Sequence, residues 1–213
     1  MDEIAEQMCE LGRRAYAAGL VAGSEGNFSA RIADGQILCT PTGCCKGWLT
    51  PADLCVVAAD GQQTAGRRRP SSEMPMHVAI YSAAPSLRAV VHAHPPFATT
   101  LSVLDEVSLA NVLPEGDIFL GDVPFVPYQT PGTADMARPL LPLLRDQDAV
   151  ILRNHGAVTW ATDLESAYLL METLETVCRV VYQARQVGTL RLIPPEQRGV
   201  LAALRQRRRG RGG

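Results

Sequence analysis

Apolar residues recur at helical spacing most clearly in two stretches. Ile4, Met8, Leu11 and Ala15 mark a helix over residues 2–18, with Gly19 as its stop. Leu170, Leu174, Val177, Val181 and Ala184 form the stronger stripe, over residues 163–187. Much of the intervening chain has the period and punctuation of strands. Strands are expected at 28–32 and 36–40, around an Asp34-Gly35 hairpin turn, then at 54–59, 87–94, 149–153 and 157–161. Thr50 and Pro51 open a helical turn. A helix capped by Ser71 or Ser72 runs to about residue 84 and tolerates Pro75 in its first turns. Shorter helices are expected at 97–104 and at 134–145, the latter interrupted by Pro139 and Pro142. Residues 62–70, with Arg67-Arg68-Arg69, read as an exposed loop, and 105–132 as short strands among prolines and glycines. Hairpin turns between strands predict one α/β domain whose sheet is at least partly antiparallel.

Composition narrows the function classes. The chain has 213 residues, with 20 Lys+Arg against 22 Asp+Glu. Five arginines fall in the last nine residues, and removing them leaves 15 basic against 22 acidic residues, a net −7. An acidic body with a short Arg/Gly end predicts one folded domain over 1–204 and a disordered tail over 205–213, with no nucleic-acid partner. No run of about 20 apolar residues is present and no cationic segment precedes an apolar stretch, so a membrane partner and a signal peptide are not expected. A cytoplasmic protein is the expectation. Six cysteines form no C-x-x-C pair, which argues against a zinc ribbon or a disulfide framework and predicts mostly buried thiols. Lys46 is the single lysine, so any Schiff-base chemistry would have to use it.

The candidate chemistry lies at strand ends. His92 and His94, two apart on a strand, face the same way and can reach one metal ion. His155 sits in an Asn154-His155-Gly156 turn after another strand. Three imidazoles with one carboxylate suit a catalytic zinc site with room for substrate. Glu73 is the candidate carboxylate. Taken alone, it reads first as a first-turn residue that complements a helix dipole. Ser71 and Ser72 at a helix N-terminus offer an anion site, to which the Gly-rich loop Gly23-Ser24-Glu25-Gly26-Asn27 and the turn Thr42-Gly43 can add N–H donors, although loops are commonly rich in these residues. His77, four residues after Glu73, shares its helix face and reads as a packed residue, and Cys44-Cys45 as small buried hydrophobes.

Five segments together resemble the class II aldolase/adducin family: residues 26–31, 40–43, Ser71-Ser72-Glu73, 92–95 and Asn154-His155-Gly156. The similarity covers residues 4–187, in the family's order and spacing. It implies a single α/β/α domain with a central, mainly antiparallel sheet, assembled as a homotetramer with active sites at subunit interfaces. By the same resemblance His92, His94 and His155 bind one zinc ion per subunit, a place another divalent transition metal can take. Glu73 then both contacts the metal and exchanges protons with substrate, and Gly26, Asn27, Thr42, Gly43, Ser71 and Ser72 hold a substrate phosphate. The implied reaction is reversible cleavage of a ketose 1-phosphate, of fuculose, 5-deoxyribulose or 5-methylthioribulose type, to dihydroxyacetone phosphate and an aldehyde. Methylthioribulose-1-phosphate dehydratases and decarboxylases of the same fold are the enzymatic alternatives, and a non-catalytic adducin-like module is the alternative of another class. Fuculose-type aldolases place a tyrosine at the aldehyde end, near residues 111–115. This chain has Asn111-Val112-Leu113-Pro114-Glu115 there, with Tyr128 the nearest substitute in sequence.

Overall fold

A computed structural model describes residues 2–211. Eight strands form one sheet: β1 (Asn27–Arg31), β2 (Ile37–Cys39), β3 (Cys55–Val57), β4 (Gln63–Ala65), β5 (Ala89–Ala93), β6 (Phe125–Val126), β7 (Ala149–Leu152) and β8 (Gly156–Ala161). Their spatial order is β4-β3-β2-β1-β5-β8-β7-β6. Every neighbouring pair is antiparallel except β6 with β7. The helices are α1 (Asp2–Ala17), α2 (Met74–Ala83), α3 (Pro96–Ser102), α4 (Pro114–Phe119), α5 (Leu164–Val187) and α6 (Pro195–Arg211).

Alternation along the strands divides the interior into two apolar layers. Phe28, Ala30, Val91, Ala93, Ile151 and Ala157 face α1, α3 and α5, where Met8, Leu101, Met171 and Leu174 complete the core. Val90, Val150, Val158 and Trp160 face α2 and the turns after it, against Met76, Ile80 and Leu140. This is an α/β/α sandwich, with the period-2 pattern of each central strand split between two faces. Asn27, Ser29 and His92 fall on the α2 side by the same alternation, so the sheet presents polar groups where α2 begins.

Several elements differ from their sequence reading. Asp34-Gly35 lies in a 3-10 turn, Ala33–Gly35, rather than a two-residue hairpin turn. The exposed strand β4 lies inside the expected 62–70 loop. The 134–145 helix is two 3-10 turns, Ala134–Ala137 and Leu141–Leu143, because prolines remove donors from a continuous ladder. α4 emerges from the stretch read as short strands, with Pro114 in the first helical position, where a missing N–H costs nothing.

The C-terminal segment differs most. Residues 205–211 are not a disordered tail but the end of α6, and residues 212–213 lie outside the described residues. Arg208 and Arg209 reach the Asp148 carboxylate at 3.0 and 3.2 Å. Arg205 and Arg208 donate to the carbonyls of Leu120 and Phe119, both 2.9 Å, at the end of α4. A single acidic residue and a helix end hold arginines that composition alone assigns to solvent. No helix among the described residues is long and apolar enough to cross a membrane. The six cysteines are free, four of them buried and Cys44 and Cys45 half-buried.

Candidate metal centre and active site

β5 carries His92 at its fourth position, and His94 follows the last strand residue. His155 occupies the turn between β7 and β8, adjacent to β5 through the β5–β8 pairing. Two local features explain this turn. Asn154 adopts φ +56°, a left-handed conformation that asparagine tolerates. A Cβ on Gly156 would stand 2.5 Å from the Ala93 carbonyl oxygen and 2.7 Å from the His94 ring. Only glycine lets the turn close against the histidine strand. Gly26 plays the matching part on the other flank: at φ +68° its Cβ would meet the His92 carbonyl oxygen at 2.8 Å.

The three imidazole rings are nearly equidistant, with centroids 4.8, 4.8 and 4.9 Å apart. Their ligating nitrogens lie within 4.8 Å of one another. His92 is fully buried, and its Nδ1 faces the Ala157 carbonyl oxygen at 2.9 Å. A carbonyl only accepts, so Nδ1 carries the proton and Nε2 presents a bare lone pair. His94 Nδ1 faces the Glu25 carboxylate at 3.4 Å, which assigns its proton in the same way. The two Nε2 atoms are 3.0 Å apart, and Glu73 Oε2 is 3.2 Å from that of His92. Glu73 Oε1 is 3.4 Å from His155 Nε2.

Acceptors therefore face acceptors across this cluster, an arrangement that a divalent cation satisfies. A tetrahedral ion with bonds of about 2.0–2.1 Å needs ligand–ligand edges of roughly 3.4 Å, and three of the separations here are 3.0, 3.2 and 3.4 Å. Burial, followed by the neighbouring imidazoles, holds His92 well below the usual histidine range, and burial also lowers His155. Neutral imidazole is the ligating form. The donor set fits a metal site of three histidines and one carboxylate.

Glu73 is neither inside the first turn of α2 nor preceded by a serine cap. It holds the N-cap position itself and makes no side-chain cap, while Ser71 Oγ accepts from its backbone N–H at 3.3 Å. The carboxylate instead faces the histidines and accepts from Asn27 Nδ2 at 2.7 Å. This placement answers the dipole reading: the side chain turns away from the helix donors toward the cluster.

The six candidate phosphate-site residues lie on three converging loops. Gly26-Asn27 enters β1, Thr42-Gly43 follows β2, and Ser71-Ser72 precedes α2. Thr42 N–H donates to Arg69 O at 3.0 Å and Ser71 N–H to Thr40 O at 3.3 Å, which ties the second loop to the third. Asn27 joins them through Glu73. Gly26 and Asn27 are buried, whereas Thr42, Gly43 and Ser72 are exposed, so the cradle opens to solvent beside the histidines.

Two residues near the site do other work than catalysis. Lys46 is 1% exposed and its ammonium donates to two backbone carbonyls, so it is not presented as a Schiff-base amine. His77 is fully buried, 2.7 Å from Ser29 Oγ, which is in turn 2.8 Å from Tyr81 OH. Burial lowers the His77 pKa to about 3. The unfolded chain takes up a proton near pH 6.5 and the folded one only near 3, so stability present above pH 6.5 is lost as pH falls toward 3. The urea midpoint of metal-free protein is expected to be lower at pH 5 than at pH 7.5, with a slope of up to about 1.4 kcal/mol per pH unit per such group. Equal midpoints would contradict it.

Sequence reasoning did not single out Glu25 as a partner of His94. It stood inside a Gly-rich loop, and only the pairing of β1 with β5 brings that loop beside the histidine strand. Tyr128 is 52% exposed, between Pro127 and Gln129, which line a crevice with His155.

Known proteins resemble this chain in sequence and in fold. A 3-oxo-tetronate 4-phosphate decarboxylase of Escherichia coli K12 is 38% identical over 181 residues, covering 83% of this chain and 85% of that one. An L-fuculose phosphate aldolase of Methanococcus maripaludis is 36% identical over 177 residues, covering 83% and 94%. The crystal structure of YgbL from Escherichia coli superposes with a TM-score of 0.87 at 34% identity, covering 94% and 98%. Residues 6–182 match the Class II Aldolase and Adducin N-terminal domain. The chain belongs to the class II aldolase and adducin family.

Proposed function

We propose that this chain is a metal-dependent carbon–carbon lyase that cleaves a ketose 1-phosphate to dihydroxyacetone phosphate and an aldehyde. The observation that carries the reading is the Glu73 carboxylate, held by Asn27 and facing both His92 and His155. His92, His94, His155 and Glu73 would hold zinc, or another divalent transition metal. When bound, the ion supplies a Lewis acid for the substrate carbonyl and for the negative charge that develops as the bond breaks.

The chain's own residues do the rest. Thr42, Gly43, Ser71 and Ser72 at the open rim, with Gly26 and Asn27 behind them, receive the phosphate. This anchors the three-carbon half of the substrate with its carbonyl at the histidines. As the C4 hydroxyl gives up its proton to solvent, C3–C4 breaks, the aldehyde leaves and the bond's electron pair remains as an enediolate across C2 and C3. Glu73, having taken a proton from solvent, delivers it to C3, giving dihydroxyacetone phosphate, so the proton lost at the C4 hydroxyl balances the one gained at C3. Asn27 holds one carboxylate oxygen so that the other stays aimed. Homotetramerisation, with neighbouring subunits completing the aldehyde end, and a cytoplasmic setting belong to this reading.

A second reading has its own support. Residues 111–115 offer no tyrosine for the aldehyde end, and carbon dioxide as leaving group needs none. Decarboxylation of a 3-oxo acid with a 2-hydroxyl and a 4-phosphate breaks C1–C2 and leaves the same enediolate for Glu73 to protonate. One assay separates the two. Zinc-loaded protein is offered ketose 1-phosphates and a 3-oxo-tetronate 4-phosphate, and both products are measured. Dihydroxyacetone phosphate with equimolar aldehyde supports aldol cleavage, and dihydroxyacetone phosphate with carbon dioxide supports decarboxylation. No dihydroxyacetone phosphate from any of them contradicts both.

A further inference from the structure

The single lysine is enclosed although neither the metal site nor the proton transfer uses it. Lys46 opens the 3-10 turn Lys46–Trp48. Its backbone is pressed against α1, where a Cβ on Gly12 would stand 2.5 Å from the Lys46 carbonyl oxygen. The ammonium ends between two loops, donating to Ser24 O at 2.6 Å and to Cys44 O at 2.9 Å. Ser24 lies in the loop that delivers Glu25, Gly26 and Asn27. Cys44 directly follows Thr42-Gly43. Among the described residues no other hydrogen bond joins 22–26 to 42–45.

We propose that Lys46 is a positioning residue of the phosphate site, whose ammonium ties the 23–27 loop to the 42–43 turn and sets the spacing between two walls of the cradle. The proposal rests on the phosphate reading given above. Three considerations favour it over a role in stability. Burying an ammonium costs free energy that an apolar side chain of similar length avoids. Burial alone lowers the Lys46 pKa to about 8, even with the thiols of Cys44 and Cys45 and the carboxylates of Glu73 and Glu25 pulling the other way. Both acceptors are carbonyls of loops whose neighbours are exposed, and such loops are mobile unless tied.

The same bond acts on the metal side. Glu25, next to Ser24, contacts His94, and Asn27 holds Glu73. Fixing Ser24 therefore fixes the loop that steadies both. Phosphate affinity is the more sensitive readout, because the exposed turn at Thr42-Gly43 has fewer other restraints.

The test is Lys46→Met in the zinc-loaded protein, read by calorimetric binding of dihydroxyacetone phosphate and of dihydroxyacetone, with metal content and melting temperature alongside. The variant should keep its metal and melt within a few degrees of the parent. Its affinity for dihydroxyacetone phosphate should fall about 10–100-fold, the worth of two charge-assisted hydrogen bonds in placing a loop, while that for dihydroxyacetone changes little. An unchanged ratio between the two ligands overturns the proposal. If the parent itself binds both equally, the phosphate reading fails first and takes the proposal with it. Should Lys46→Met not fold, Lys46→Gln, with a neutral and shorter donor, is read by the same ratio.

Discussion

Glu73→Gln is expected to reduce dihydroxyacetone phosphate release by about 1,000-fold, roughly 4 kcal/mol of transition-state stabilisation, while zinc content stays near that of the parent. The amide keeps the shape, and its oxygen can still face the histidines, so three imidazoles remain to hold the ion. It cannot carry a proton to the enediolate. It also presents an NH2 group where Asn27 Nδ2 now donates at 2.7 Å, or turns that NH2 toward His155. The first orientation sets donor against donor, and the second aims an NH2 where a bound metal would need a lone pair. Affinity for dihydroxyacetone phosphate should change far less than turnover. Retention of a tenth or more of the parent activity would remove Glu73 from the proton-transfer role.

The second large effect is at the metal. His155→Ala should weaken zinc binding by more than about 100-fold, beyond what loss of a hydrogen-bonding partner behind a ligand costs. Activity should disappear at zinc concentrations that saturate the parent. His155 is the better choice for the test because it lies in a turn beside a crevice, so truncation opens space without breaking a strand. His92→Ala has the same metal effect with a further penalty, since His92 is fully buried and satisfies the Ala157 carbonyl. Equal zinc affinity in parent and His155→Ala would take His155 out of the ligand set.

The legible and illegible parts of this sequence divide by range. α1, α5 and the central strands could be read because each is an uninterrupted local period, 3.6 or 2, backed by burial on a fixed face. The pairing of His92 with His94 could be read because strand alternation settles it. The direction of the Glu73 side chain could not. Local chemistry favours the helix dipole, and only the approach of Asn27 from β1 and of His155 from the β7–β8 turn draws it away. The docking of α6 was hidden for a related reason. Arg205, Arg208 and Arg209 look solvated until Asp148 and the end of α4, both distant in sequence, supply their partners. Lys46 could be counted but not placed, because its acceptors are backbone carbonyls, which leave no mark in a sequence.

The most direct measurement is a zinc titration of chelator-stripped protein, with dihydroxyacetone phosphate release followed on the best substrate. Release should be absent without metal and rise linearly to a plateau at one ion per chain, with the same endpoint in direct metal binding. Full release from stripped protein, or a plateau reached without occupation of the histidine site, would contradict a metal-dependent carbon–carbon lyase built on His92, His94, His155 and Glu73.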